Sequence, residues 1–379
     1  MSILGEFANS ALNVLLLILI LVPLVIIHEF GHFVVARRAK VRVHEFGVGF
    51  PPRAKVLARD REGTEYTLNW LPIGGFVRLE GEEGESVDPR AFVNKPLRTR
   101  LLILVAGVTM NFLLAFLIFA FIALLADPVS HVRIAAVDPG SPADQAGLRG
   151  GNVIGTDAEG KPIYDETGDI ITGIDGRTFP VFDSVDTQTP SLAYLRAHAG
   201  QAVTLTIQHA DGTTEQIPVT LRVPGPNQGA LGITVYPKLV PGEVHHDPLT
   251  ALAKGATRTV DASTLILRGL GGLIANIANP PVSGPVGIVN AIGAVRQQLP
   301  PVFLIWLIGL LSANLAVVNA LPFPPLDGGR ATVAIIQAVS NNRIGQAAER
   351  LVYLTGFILL MALLVWLTLF DTGILQRQL

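Results

Sequence analysis

The 379-residue chain contains no cysteine, which excludes disulfides and any thiolate metal site. It is also poor in charge. Only 15% of its residues are Asp, Glu, Lys or Arg, against about 25% in ordinary globular domains. The formal net charge is −2, and no basic stripe with interleaved aromatics runs along it, so nucleic acid is not an expected partner. No Lys or Arg precedes residue 37, and neither an internal repeat nor a low-complexity tract is present. What the chain has instead is apolar mass: half of its residues are hydrophobic.

That mass is concentrated in four runs, 11–36, 101–126, 302–320 and 351–370. Each is close to or above the roughly 20 residues needed to cross a bilayer. The first begins too late, runs too long and lacks the basic flank and small-residue cleavage site of a signal peptide, so a retained anchor is expected. Thirteen Lys and Arg residues fall within 37–100, but only eleven in the much longer 127–300. The positive-inside rule therefore predicts 37–100 on the cytoplasmic side. The N-terminus, the large central segment and the C-terminus then lie outside, and the short loop with Arg330, Arg343 and Arg350 lies inside.

The expected fold class is a polytopic α-helical membrane protein of about four transmembrane helices. To these are added a cytoplasmic membrane-associated β-region and one extracytoplasmic α+β domain. The expected division is a first span at 1–36, a β-region at 37–100, a second span at 101–126 and the extracytoplasmic domain at 127–240. A membrane-surface helical segment follows at 241–301, then a third span at 302–330, and finally a cytoplasmic loop, fourth span and tail at 331–379. A further crossing around 262–279 stays open, with Arg268 and the glycines of 269–272 against it.

The chemistry is carried by HEFGH at 28–32, inside the first apolar run. On a helix, His28 and His32 share one face and can hold one metal ion through neutral imidazoles. Glu29 is placed to act on water at that metal. Ionisable residues in a span cost roughly 2.5–3.5 kcal/mol each on insertion scales, so three in succession point to function. A catalytic zinc takes three protein ligands. The outstanding third candidate is Asp327 in NALPFPPLDGG at 319–329. Pro322, Pro324 and Pro325 cannot sustain a helix, and broken backbone at membrane depth requires protein or a water-filled cavity around it. Gly328 and Gly329 are expected to permit a sharp turn after Asp327. Asn319 either hydrogen-bonds substrate backbone or a ligand, or holds the broken helix together.

In order and spacing, these motifs resemble the site-2 protease family of intramembrane zinc metalloproteases (M50-type), in its bacterial RseP-like branch. HEFGH fits the family's HExxH, and NALPFPPLDGG fits its N-x-x-P-x-P-x-L-D-G motif. GTEYTLNWLPIGGFVRLEGE at 63–82 looks like the branch's membrane-associated β-region, and FVNKPLRTRLLILVAGVTMNF at 92–112 like the entry to its second span, with Asn111 at the family's Asn. SGPVGI at 283–288 also fits. SPADQAGL at 141–148 and GDIITGIDG at 168–176 resemble a PDZ domain, with an apparent insertion near 150–167.

The resemblance implies one Zn²⁺ per chain held by His28, His32 and Asp327, with Glu29 catalytic and Asn319 handling substrate. It implies a multi-pass enzyme of the bacterial inner membrane with its active site toward the cytoplasmic side. The implied substrates are single-pass transmembrane proteins, such as anti-sigma factors or remnant signal peptides, reached through the lipid bilayer. A PDZ-like domain would gate them or serve as a spacer. An exposed strand around Gly74, Gly75, Phe76 and Val77 would pair with unwound substrate, although the two glycines also suit an ordinary hairpin. The alternatives from other classes are a membrane metal transporter and an inactive PDZ scaffold.

Overall fold

Long apolar runs satisfy their backbone internally as helices, and the polar stretches between them fold as strands. The computed structural model describes residues 3–375 apart from 83, 85, 158, 184–189, 226–227, 237–239, 277–279 and 341–344. Arg343, Glu83, Glu85 and the end of the 262–279 stretch lie outside the described residues.

In chain order the elements begin with α1 (Ile3–Arg38), β1 (Val43–Arg59), β2 (Glu65–Leu79), α2 (Leu97–Leu125), β3 (Asp127–Val137) and α3 (Pro142–Gln145). Next come β4 (Val153–Thr156), β5 (Pro162–Tyr164), β6 (Ile170–Ile174), α4 (Pro190–Ala197), β7 (Ala202–Gln208) and β8 (Thr214–Thr220). The chain continues through β9 (Ile233–Val235), β10 (Val240–Val244), α5 (Pro248–Ala275) and α6 (Pro285–Gln298). It ends with α7 (Val302–Ala320), α8 (Asp327–Val339) and α9 (Gln346–Asp371). Among the described residues, Ala8–Arg38, Leu97–Leu125, Val302–Ala320 and Ala347–Asp371 are helices long and apolar enough to cross a membrane.

The chain divides into two compact units, 1–119 with 255–379, and 120–254. In the second unit, β10, β3, β6, β7 and β8 form a sheet in that order, and β9 also pairs with β3. Its core includes Ile134, Leu148, Ile171, Ile174, Leu195, Leu205 and Ile207. The short helix α3 starts at Ser141, whose Oγ accepts the Asp144 amide. The stretch expected as an insertion carries the separate hairpin β4–β5.

In the first unit β1 and β2 are both bent, and their register shows how. Residues 43–48 of β1 pair antiparallel with 75–79 of β2, as in Phe46↔Val77 and Gly47↔Phe76. They also lie beside 65–68, as in Phe46↔Tyr66 and Gly47↔Thr67, running the same way. Residues 53–59 then turn back to pair antiparallel with 65–69. Two strands thus make four arms, in the order 53–59, 65–69, 43–48, 75–79. Pro51 and Pro52, which have no amide to donate, fall at the bend of β1. Pro72 and Gly74, the latter at φ +79°, fall at the bend of β2. One face of this sheet packs on α1 and α2, where Val43, Val77 and Leu79 meet Ala36, Ile103 and Leu104. On the sheet, buried Glu45 accepts the Thr67 hydroxyl at 2.7 Å and pairs with Arg53 at 2.9 Å and Arg78 at 3.0 Å.

Helix α7 stops at Ala320, ahead of the prolines, and α8 begins at Asp327. Here the expectation of a sharp turn at Gly328 and Gly329 is corrected. Both glycines lie in the first turn of α8, and helix replaces the loop expected from 331 as far as Val339. They are needed for close approach: a Cβ on Gly328 would overlap the Ala320 and Leu321 carbonyls, and one on Gly329 would overlap Phe323. Helix α6, which carries most of SGPVGI, is held from both sides. Its Gly287 amide donates to Asp371 of α9 at 2.8 Å, and its Arg296 donates to Asn9 and Asn13 of α1 at 3.0 and 3.3 Å.

Candidate metal centre

His28 and His32 sit one turn apart on α1, with both side chains buried. Across from them, the break between α7 and α8 delivers Asp327. Its Oδ2 lies 2.9 Å from His28 Nε2 and 3.1 Å from His32 Nε2, and the two Nε2 atoms are 3.2 Å apart. Residues separated by 299 positions therefore offer three donor atoms at the corners of one small triangle.

Those edges fit a metal. Ligand atoms about 2.0–2.1 Å from a tetrahedral zinc stand roughly 3.3 Å apart. The imidazoles are also oriented for it. His32 Nδ1–H donates to the Ile103 carbonyl at 2.7 Å, which leaves the Nε2 lone pair facing the triangle. His28 Nδ1 lies 3.3 Å from the Asn111 amide. The Asn111 Oδ1 is buried without a partner. Oxygen and nitrogen of an amide are interchangeable by rotation, so Asn111 turned over accepts the His28 Nδ1–H and fixes that tautomer as well. Two neutral imidazoles and one carboxylate suit a divalent zinc ion.

Three residues of α2 hold this arrangement, and they recur every fourth position: Ile103, Gly107 and Asn111. They lie along one helical face. A Cβ on Gly107 would overlap His32 Nε2 and stand 2.7 Å from His28 Nε2. Gly31 on α1 is equally close to the Ala106 carbonyl. Small residues let two helices approach to this distance. Sequence motifs leave Gly107 unmarked and give Asn111 no role. The signal available was a polar residue and a glycine four apart in an apolar run.

Glu29 is half-buried beside the triangle. Donor atoms of His28, Glu29 and His32 lie within 4.8 Å of one another. Glu29, His32 and Asp327 line a cavity of about 1270 Å³ together with Phe76, Val77 and Arg330. Gly75 backs onto the Glu29 side chain: a Cβ there would meet the Glu29 Cγ methylene at 3.8 Å and the Gly47 carbonyl at 3.0 Å. Gly74 sits at the bend instead, against the Phe50 ring. Asn319 is half-buried in the last turn of α7 and is not among the described residues that line the cavity.

A broken-helix carboxylate facing an intrahelical HExxH within apolar helices is an arrangement that fits a metallopeptidase. The model of peptidase family M50 matches residues 16–363. The chain belongs to this family, the site-2 protease family of zinc metalloproteases. A Nostoc protein named as a candidate zinc metalloprotease is 31% identical over 97% of this chain and 98% of its own length. A Clostridium perfringens protein of like name is 32% identical over 92% and 95%. The zinc metalloprotease RasP of Oceanobacillus iheyensis is 27% identical over 94% and 97%. Membership makes the chain a multi-pass membrane enzyme with zinc as its cofactor, and decides against the transporter and the inactive scaffold.

Proposed function

We propose that His28, His32 and Asp327 hold the zinc and that Glu29 is the general base and acid for cleavage of peptide bonds in or near transmembrane segments. The observation that carries this is the convergence of His28 Nε2, His32 Nε2 and Asp327 Oδ2 within 3.2 Å of one another. Bound there, zinc supplies Lewis acidity, polarising a carbonyl and acidifying water. Glu29 takes the proton from the attacking water and returns it to the leaving amine. Ile103 and Asn111 keep both imidazoles turned so that their Nε2 lone pairs point inward.

A transmembrane helix hides its backbone in its own hydrogen bonds, so it must be drawn out before it is cut. In our reading the unwound segment lies along Gly74, Gly75, Phe76 and Val77 as an added strand. The closeness of Gly75 to the Glu29 side chain supports this, because it sets this part of β2 beside the residue assigned to proton transfer. Asn319 is assigned to substrate backbone as the segment passes the break after α7. The substrates are single-pass membrane proteins, anti-sigma factors or remnant signal peptides among them. The unit at 120–254 acts as a PDZ-like gate on the extracytoplasmic side of a bacterial inner membrane, with the active site toward the cytoplasm. The distribution of Lys and Arg supports this orientation.

The test compares wild type with Glu29→Gln in nanodiscs, with a single-pass substrate and bound zinc quantified in both. The expected result is a fragment cut within the span by wild type. The variant should bind zinc equally and turn over about 10²–10⁴-fold more slowly, the usual contribution of positioned proton transfer. Equal cleavage by the variant would remove Glu29 from the mechanism.

A further inference from the structure

Glu82 follows β2 and lies where the outer side of that strand ends. Among the described residues no strand pairs with that side. Leu79 faces Val43 across the sheet, and the neighbouring Glu80 N–H donates to the Arg42 carbonyl at 2.9 Å. In an antiparallel ladder this makes Leu79 a non-hydrogen-bonded position, so its N–H and C=O point to the free side. Alternation along the strand then puts Val77 and Gly75 outward as well.

The Leu79 N–H is not left open. It donates to Glu82 Oε2 at 3.1 Å. The other carboxylate oxygen, Oε1, receives Arg330 Nη1 at 2.6 Å. Arg330 is in α8, one helical turn after Asp327. The cap on the strand is therefore anchored to the helix that presents the third metal-facing atom.

We propose that Glu82, held by Arg330, is a stop on the β2 edge that sets the register of the substrate. With the Leu79 N–H capped, an added strand can pair through both N–H and C=O only at Val77 and Gly75, and Gly75 backs onto Glu29. The peptide bond that reaches Glu29 is thereby fixed by where pairing must end. Glu82 and Arg330 are positioning residues, and the inference rests on the edge-pairing reading given above. A slip of one residue would turn every side chain to the wrong face. The competing register is therefore a slip of two, about 6.8 Å along the strand. Opening Leu79 gives that register one more backbone hydrogen bond, which is worth on the order of tenfold in population.

The Glu82 and Arg330 side chains are 16% and 27% exposed, so removing one would leave the other's charge partly buried and unpaired. The test therefore removes both, as Glu82→Leu with Arg330→Met, beside Glu82→Gln with Arg330→Met, which keeps an acceptor for the Leu79 amide and leaves no charge unpaired. Each is incubated in nanodiscs with a single-pass substrate, and fragment ends are read by mass spectrometry. Wild type and the Glu82→Gln, Arg330→Met variant should cut at one bond. The Glu82→Leu, Arg330→Met variant should add a cut two residues away, with that product raised about tenfold. Val77→Pro, run in parallel, separates the two ideas. If it abolishes cutting while the Glu82→Leu, Arg330→Met variant keeps the wild-type bond alone, the stop is overturned and edge pairing survives. If Val77→Pro cuts like wild type, edge pairing fails and the stop falls with it.

Discussion

His32 and Asp327 of the metal-facing triangle line one cavity with Phe76 and Val77 of β2, yet the triangle and the strand edge are held in opposite ways. Around the triangle every freedom is removed. His32 is fixed by the Ile103 carbonyl, His28 lies against Asn111, and Gly107 and Gly31 bring α1 and α2 within contact. The edge of β2 is supported on one side only, and its outward N–H and C=O groups at Gly75 and Val77 have no strand partner among the described residues. A metal site must be set within roughly half an ångström before the ion arrives. A site for varied transmembrane segments instead needs backbone groups left unpaired until a substrate supplies their partners. On the proposed function, rigidity belongs to the chemistry and openness to recognition.

The largest way to break this contrast is to loosen the triangle from α2. Gly107→Ala places a methyl group on both Nε2 atoms. Zinc affinity should fall by about 100-fold or more, the upper end for residues that orient metal ligands. Chelator competition on the purified protein checks this, and unchanged affinity would mean that the helices part easily. Asn111→Leu should act in the same direction but less. The side chain keeps its branching and heavy-atom count while the His28 ring loses its hydrogen-bond partner, so a loss nearer tenfold is expected. The same titration reads it, with Ser312, which donates to the Asn111 carbonyl at 2.8 Å, left in place as before.

The parts of this site that follow from local spacing were legible in the sequence. His28 and His32 are four apart, and a helix puts them together whatever surrounds it. The helix break before Asp327 was legible because three prolines cannot be helical. Four apolar runs were long enough to be seen as spans. What was hidden depends on contacts between elements. Gly107 matters only because α2 crosses α1 at that turn, which no periodicity within either helix encodes. The four-armed sheet made from two strands was legible only in part, since a run bounded by Pro72, Gly74 and Gly75 reads equally as a hairpin or a bent strand. Gly328 and Gly329 read as turn residues, because only the packed carbonyls of Ala320, Leu321 and Phe323 show that they are helical.

The smallest expected effect sharpens the contrast from the other side. Arg78 is on the same arm as Val77, but its side chain is on the sheet face away from α1 and is 59% exposed. It shares Glu45 with Arg53 and the Thr67 hydroxyl, so Arg78→Ala leaves that carboxylate with two partners. A partly exposed ion pair of this kind contributes less than about 1 kcal/mol. If the edge recognises substrate through its backbone, Arg78→Ala should keep the cut position and change kcat/KM by no more than about fivefold, the factor that 1 kcal/mol allows. Mass mapping and initial rates on one substrate measure both. A shifted or abolished cut would mean that side chains on the sheet face, rather than the free N–H and C=O groups, select the substrate, and the edge would then be as specified as the metal site it adjoins.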